Sequence, residues 1–152
     1  MSMTREVREP RDDEEWRASY ELRWRVLRAP WDQPRGSERD EQEERSLHRV
    51  CVELAADGAL LRVIGTARAH HLGEGRAQIR YMAVEESCRG EGVGADLLIS
   101  LEEALRADGV VEVVLNARES ALRFYERAGY RVVGEAETLY GEIPHARMAK
   151  SL

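Results

Sequence analysis

Cysteine is scarce in this 152-residue chain: Cys51 and Cys88 are the only two, in unlike contexts and without metal-ligand spacing. Two such residues cannot make a disulfide framework or a cysteine-rich metal centre, so they read as reduced thiols and no metal is expected. Long apolar runs are missing as well. None approaches the ~20 residues that a bilayer-spanning helix needs, and the first residues carry no signal-peptide core. A cytoplasmic protein that makes no use of a membrane is the expectation. Lysine is nearly absent, Lys150 being the only one among 23 basic residues. No Gly-Lys-Ser/Thr can then follow a glycine-rich turn, which excludes a Walker-type phosphate loop. Positive charge is not in excess either. A net charge of −6 argues against a nucleic-acid backbone as partner and permits a cationic one. Repeats and low-complexity linkers are lacking, so residues 1–152 read as one domain, large enough to bury about two thirds of its unfolded surface.

What is present is patterned. Met3 to Val7 reads as a short strand before Pro10. Asp12 to Glu15 then supplies a cap and an acidic first turn. Trp16, Tyr20, Trp24 and Leu27 follow at helical spacing, widened by Leu22 and Val26, as a stripe expected to pack on a sheet. Pro30 ends that helix. Ser37 to Arg45 holds five acids against two arginines. It reads as a solvated loop or short helix, or, more sharply, as an acidic lip that attracts a cationic amine. Residues 50–55 and 60–69 alternate and are rich in β-branched residues, and Asp57-Gly58 between them is a hairpin signal. With Gly73-Glu74-Gly75 turning the chain into Ala77 to Val84, residues 48–84 form an antiparallel meander. Val93, Leu97, Leu98, Leu101, Ala104 and Leu105 line one face of a later helix that Gly109 ends. A strand from Val110 to Leu115, a helix from Ser120 to Gly129, and strands near 130–135 and 146–152 complete a mixed α/β chain.

Between the Ala77 strand and the Val93 helix lies Arg89-Gly90-Glu91-Gly92-Val93-Gly94-Ala95. Alternating glycines let the backbone approach a ligand closely. A helix N-terminus carries roughly half a positive elementary charge and free N–H groups, so it favours a pyrophosphate. Arg89 adds a charged fork suited to phosphate oxygens. The same residues satisfy the spacing of a dinucleotide-binding fingerprint. That reading needs a carboxylate closing the next strand, whereas here the strand ends at Asn116, with Glu112 inside it.

Arg89-x-x-Gly92-x-Gly94 resembles the [RQ]-x-x-G-x-[GA] signature of the GNAT superfamily of N-acetyltransferases. The order is right: a strand ending Met82-Ala83-Val84, the loop, a strand ending in Asn116, then Ser120 to Tyr130, which resembles that family's A-x-x-F-Y-E-x-x-G-[FY] segment. The match covers residues 77–133 well and the first seventy loosely. The resemblance implies an α/β (α+β) fold: a mixed, mostly antiparallel twisted sheet of about six to seven strands, about four flanking helices, and splayed central strands. It implies acetyl-CoA as cofactor, with the pantetheine arm against Met82, Ala83 and Val84. The diphosphate would lie on the amides of Gly90, Glu91, Gly92, Val93, Gly94 and Ala95 beside Arg89, and Asn116 would bond the arm from the opposite strand. Tyr125 matches the family tyrosine that lies near the cofactor sulfur and protonates the leaving thiolate.

The implied reaction is direct attack of a small-molecule or peptide amine on the thioester in a ternary complex. A non-catalytic acyl-CoA-binding module on the same fold is the alternative. Some branches of the family place a glutamate base where this chain has Gln78, and Ala77 to Val84 contains no carboxylate. The remaining candidates are Glu85, His70, His71, Glu142 and His145. His145, within Gly141-x-x-Pro144-His145-x-x-Met148, is the residue taken as catalytic alongside Tyr125. That tail, with Leu27, Pro30 and Glu38, resembles the ElaA-like branch. A homodimer through the last strands is a further expectation.

Overall fold

In the computed structural model, which describes residues 3–152, the alternating segments pair into one seven-stranded sheet. The elements in chain order are β1 (Thr4–Arg8), α1 (Asp13–Leu27), β2 (Leu47–Leu54), β3 (Leu60–Gly73), β4 (Arg76–Val84), α2 (Val93–Ala107), β5 (Glu112–Arg118), α3 (Leu122–Arg127), β6 (Arg131–Glu135) and β7 (His145–Ser151). The spatial order is β1-β2-β3-β4-β5-β7-β6, and only β4 and β5 run parallel. Among the described residues three α-helices flank the sheet. The acidic segment forms only a 3-10 turn at Glu43–Arg45, and a second such turn, Ala29–Trp31, follows α1.

Hydrophobic burial separates the two faces. On one, α2 lays Val93, Leu97, Leu98, Leu101 and Leu105 over Ile64, Ala67, Ala77, Ile79 and Val113. Each fully buried leucine contributes ~1.5–3 kcal/mol relative to exposure. On the other, Leu22 of α1 packs with Val50, Val52, Val63 and Ala83.

The contact under α1 differs from the aromatic stripe that the sequence suggests. The residues it buries are Glu15, Ser19, Leu22 and Arg23. The sheet beneath is itself polar there. Ser19 shares a 2.7 Å hydrogen bond with Thr66, and Arg68 is fully buried. Trp16, Tyr20 and Trp24 instead turn sideways. Trp16 packs on His48, Arg39 covers Tyr20, and the Trp24 indole donates to the Gln33 carbonyl.

The acidic segment is not a fully solvated loop: Glu41 and Glu44 are exposed, but its other acids are drawn inward. Glu38 and Glu43 are buried, and Glu43 accepts from Arg23 at 2.8 Å and from Arg68 at 2.7 Å. Asp40 accepts from Arg68 at 2.6 Å and from Arg80 at 3.0 Å. A buried guanidinium is costly without such partners, so Asp40 and Glu43 are committed inward.

Two backbone features open the sheet between β4 and β5. Pairing there is limited to Arg76–Glu112, Ala77–Val113 and Gln78–Val114, and the strands separate beyond it. Above that point β4 carries a bulge. Arg80 pairs with Arg68 and Ala83 with Thr66, so Tyr81 and Met82 stand opposite Ala67 alone. Tyr81 adopts φ +59, a left-handed conformation that a non-glycine residue holds only when its surroundings fix it. Arg23, Arg28, Arg68 and Arg80 all lie within 5.4 Å of its ring centroid.

Candidate functional site

Helix α2 begins at the mouth of this gap. Gly92 is its N-cap at φ +85, and no side chain among the described residues caps the helix. The first intrahelical bond runs from the Asp96 amide to the Gly92 carbonyl, which leaves the N–H groups of Val93, Gly94 and Ala95 without helical acceptors. A Cβ built on Gly92 would meet nothing within 4 Å, so the space before these amides is open. Gly94 is small for another reason. A Cβ there would lie 2.8 Å from the Phe124 ring, and the missing side chain lets α2 close against α3 beside Met82. Arg89 and Gly90 are exposed at the turn. Glu91 is exposed too, and its carboxylate accepts from Arg5 at 2.6 Å. A cavity of about 250 Å³ opens beside the turn, lined by Arg5, Val7, Glu91, Val93 and Asp96 among others. Glycines in open space, with amides and an Arg89 guanidinium that have no partner among the described residues, together fit a diphosphate.

The walls of the gap belong to different faces. Met82 and Val84 pack into the α2-side core, and Ala83 into the α1-side core. The Glu85 amide donates to the Ile64 carbonyl on β3 at 2.8 Å. Amides alternate direction along a strand, so that of Val84 points away from β3 into the gap. Tyr125 lies on the α2 side, buried, with its ring edge-on to Phe124 and to Tyr130. Burial pushes its hydroxyl up to about 12, partly offset by the nearby Arg118 charge. Tyr125 is therefore protonated throughout the neutral range.

β5 is longer than the sequence suggests. It runs past Asn116 to Arg118, because β7 pairs with it as far as Arg118–His145. Asn116 is thus an exposed mid-strand residue opposite Arg147. Val113, Leu115 and Ala117 face the α2-side core, so alternation turns Asn116 and Arg118 to the α1 side. The tip of β5 is an arginine, and the carboxylate of a dinucleotide-binding fold is again lacking there.

The candidate bases separate by position. His71 is exposed and bonds Asp108 at 3.1 Å, at the C-terminal end of α2 and so at the far end from the turn. His70 is buried beside Arg68, and burial lowers its affinity for a proton. Glu85 is held by two bonds from Arg25, at 2.9 and 3.0 Å, which keep its carboxyl below the usual range. Glu142 is exposed. Gln78 lies below the splay, paired with His70 and Val114. His145 stands opposite Arg118 across the β5–β7 ladder. Its Nδ1 lies 2.8 Å from the Ile143 carbonyl, a contact that puts the proton of the neutral ring on Nδ1 and leaves Nε2 as the acceptor.

Four further residues surround this place: Arg28, Trp31, Arg118 and Tyr140. Arg28 and Arg118 both donate to the Leu27 carbonyl, at 3.4 and 3.5 Å. Trp31 and Tyr140 stack with ring centroids 6.4 Å apart. Reading the strand as finished at Asn116 hid Arg118, and Tyr140 lies in a loop with no periodicity to follow. A second cavity, of about 550 Å³, lies beside α1 at the start of β2, lined by Trp16, Tyr20, Glu43 and His48 among others, with none of the glycine-turn residues.

Comparison with known proteins is consistent with this geometry. Residues 16–130 match the family model described as "Acetyltransferase (GNAT) family". A crystal structure of a Lactobacillus plantarum protein superposes with a TM-score of 0.79 at 24% identity, covering 100% of this chain and 99% of that one. Escherichia coli ElaA gives 0.74 at 20% identity, with 98% and 99% covered. An aminoglycoside 6'-N-acetyltransferase complexed with coenzyme A gives 0.74 at 19%, with 96% of each chain covered.

Proposed function

The chain belongs to the acetyltransferase (GNAT) family, and from that premise we propose that it is an N-acetyltransferase that carries an acetyl group from acetyl-CoA to a primary amine of a small molecule or peptide. The observation that carries the reading is the uncapped N-terminus of α2, with open space before Gly92. Acetyl-CoA supplies an activated acyl group as a thioester.

The chain's own residues divide the remaining work. The amides of Gly90, Glu91, Gly92, Val93, Gly94 and Ala95 hold the diphosphate, with Arg89 as counter-charge. Met82, Ala83 and Val84 line one side of the pantetheine arm and Asn116 the other. The Val84 amide, aimed into the gap, stabilises negative charge that develops on the thioester oxygen. Tyr125 gives its proton to the departing sulfur, a role that needs a hydroxyl still protonated at neutral pH. His145 Nε2 accepts the proton that the amine loses. With Gln78 at the place of a strand glutamate and Glu85 held by Arg25, the step is assigned to His145 rather than to the exposed Glu142.

A thiol-release assay with acetyl-CoA against a panel of amines tests the reading. Release that depends on one class of amine, together with the acetylated amine by mass spectrometry, is the expected result. Coenzyme binding with no release from any amine would leave a non-catalytic acyl-CoA-binding module instead.

A further inference from the structure

Every other well-buried arginine of the α1 face has a carboxylate. Arg8 pairs with Glu15 at 2.6 Å, Arg23 with Glu43 at 2.8 Å, and Arg68 with both Asp40 and Glu43. Arg28 and Arg118 break that pattern. Arg28 is only 7% exposed, yet its guanidinium packs on the Tyr81 and Tyr140 rings and hydrogen-bonds to carbonyls alone, those of Ser37 at 2.9 Å and Leu27 at 3.4 Å. Arg118 reaches the same Leu27 oxygen at 3.5 Å and has no other hydrogen-bond partner among the described residues. Two cations thus converge on one neutral carbonyl at the C-terminal end of α1, with no acid between them.

Such a pair is held at a cost. Burial and the facing Arg28 charge both lower the proton affinity of Arg118. Neither guanidinium has a salt-bridge partner among the described residues, and the Glu38 carboxylate accepts from the Gly36 amide instead. Asp40 and Glu43 are committed to Arg23, Arg68 and Arg80, and Glu85 to Arg25. The Arg89 charge of the glycine turn also lowers the proton affinity of Arg118, so the cofactor turn lies within its electrostatic reach. The pair stands beside the stacked rings of Trp31 and Tyr140, with Arg28 6.0 Å from the Tyr140 centroid.

We infer that Arg28 and Arg118 form a carboxylate-binding subsite, so that the acceptor is an amine that also carries a carboxylate, an amino acid or a short peptide. This rests on the acetyl-transfer reading above and names its substrate class. Two guanidinium forks around one anion satisfy donors that now share a single carbonyl. A carboxylate fixed there holds its own amine beside the gap, with any apolar side chain against Trp31 and Tyr140. Polyamines and aminoglycosides fit poorly, because their extra positive charge would face two unpaired cations. The phosphates of coenzyme A are the other anions within this protein's chemistry. They already have the turn at Gly90 to Ala95, so the experiment must separate the two sources.

Binding of each proteinogenic amino acid, and of its carboxamide, is measured by calorimetry on the protein saturated with coenzyme A. Thiol release from acetyl-CoA is followed in parallel. At least one amino acid should bind roughly 10- to 100-fold more tightly than its carboxamide, the range expected for charged hydrogen bonds. Arg118→Gln and Arg28→Gln should abolish that ratio, and Arg118→Lys should restore part of it. All three should keep the affinity for coenzyme A, and thermal unfolding shows whether each variant folds. Equal affinity for acid and amide, a preference for the amide, or no binding of either while coenzyme A still binds, overturns the subsite. Loss of coenzyme A affinity in the folded arginine variants assigns the pair to the cofactor and overturns it too. Failure of the wild type to bind coenzyme A at all would instead sink the acetyl-transfer reading.

Discussion

At the scale of single residues, conformation and burial decide what each position tolerates. Gly92 holds φ +85 at the head of α2, where an L side chain costs ~1–2 kcal/mol in strain. The space around it is empty, so a side chain there meets no protein atom and intrudes only on what docks against the amides. Gly92→Val should therefore leave far-UV circular dichroism unchanged while weakening acetyl-CoA binding at least ~10-fold by calorimetry, since it blocks a helix-terminal anion site. Normal binding would remove the turn from the cofactor site. Tyr125 is governed by burial. Its hydroxyl, pushed up to about 12, has no hydrogen-bond partner among the described residues, whereas Tyr130 donates to Glu102 at 2.8 Å. Losing it disturbs no internal bond. Tyr125→Phe should lower kcat by ~10²–10⁴-fold with little change in acetyl-CoA affinity. An unchanged kcat would exclude it as the acid.

At the scale of elements, α1 shows how a helix can pack on a sheet through charge. Asp12 caps it by accepting from the Glu15 amide at 2.9 Å, and the acidic first turn suits its dipole. These signals are local and could be read along the chain. Which face turns inward depended on Thr66 and Arg68 of β3, some forty residues away, and no periodicity within the helix reports that. The same distance hid the task of Asp40. Burial alone would push its carboxyl up, but Arg68, the Gln42 amide and Arg80 outweigh that and hold it down at about 2. The sign of the linkage follows. A carboxyl with a depressed folded-state pKa gives stability that is complete above its unfolded value, ~3.9, and lost as pH falls toward 2. Asp40→Asn should cost about 2–4 kcal/mol at pH 7, because it strips a partner from the buried Arg68 charge. Urea unfolding followed from pH 5 to pH 2 should show a steeper loss in the wild type than in the variant. Parallel slopes would mean that the Asp40 ion pairs do not contribute.

At the scale of the whole molecule, the legible part of the sequence is the part whose signals are short-range. Alternation marked the strands, Asp57-Gly58 the hairpin, and the glycines before Val93 the start of α2. Positions that matter through long-range packing were not legible: Tyr81 in its left-handed bulge, and Arg118 reaching the Leu27 carbonyl beside Arg28 from 91 residues away. The overall charge of −6 is equally uninformative about the cleft, where local arginines and helix amides set the field. A polyanion binding such a site must stabilise the fold, because the unfolded chain has no equivalent of the turn. At a free concentration near one hundred times its Kd, acetyl-CoA should add about 2.7 kcal/mol. For a chain of this length that raises the Tm by roughly 5–10 °C. NADH is also an anionic nucleotide with a diphosphate, but it lacks the pantetheine arm that the proposed function places in the gap between β4 and β5. At equal concentration it should raise the Tm far less, and both shifts should shrink with added salt because phosphate contacts are screened. Equal shifts for the two nucleotides would mean that the gap contributes nothing and that the amides of α2 bind diphosphates indiscriminately.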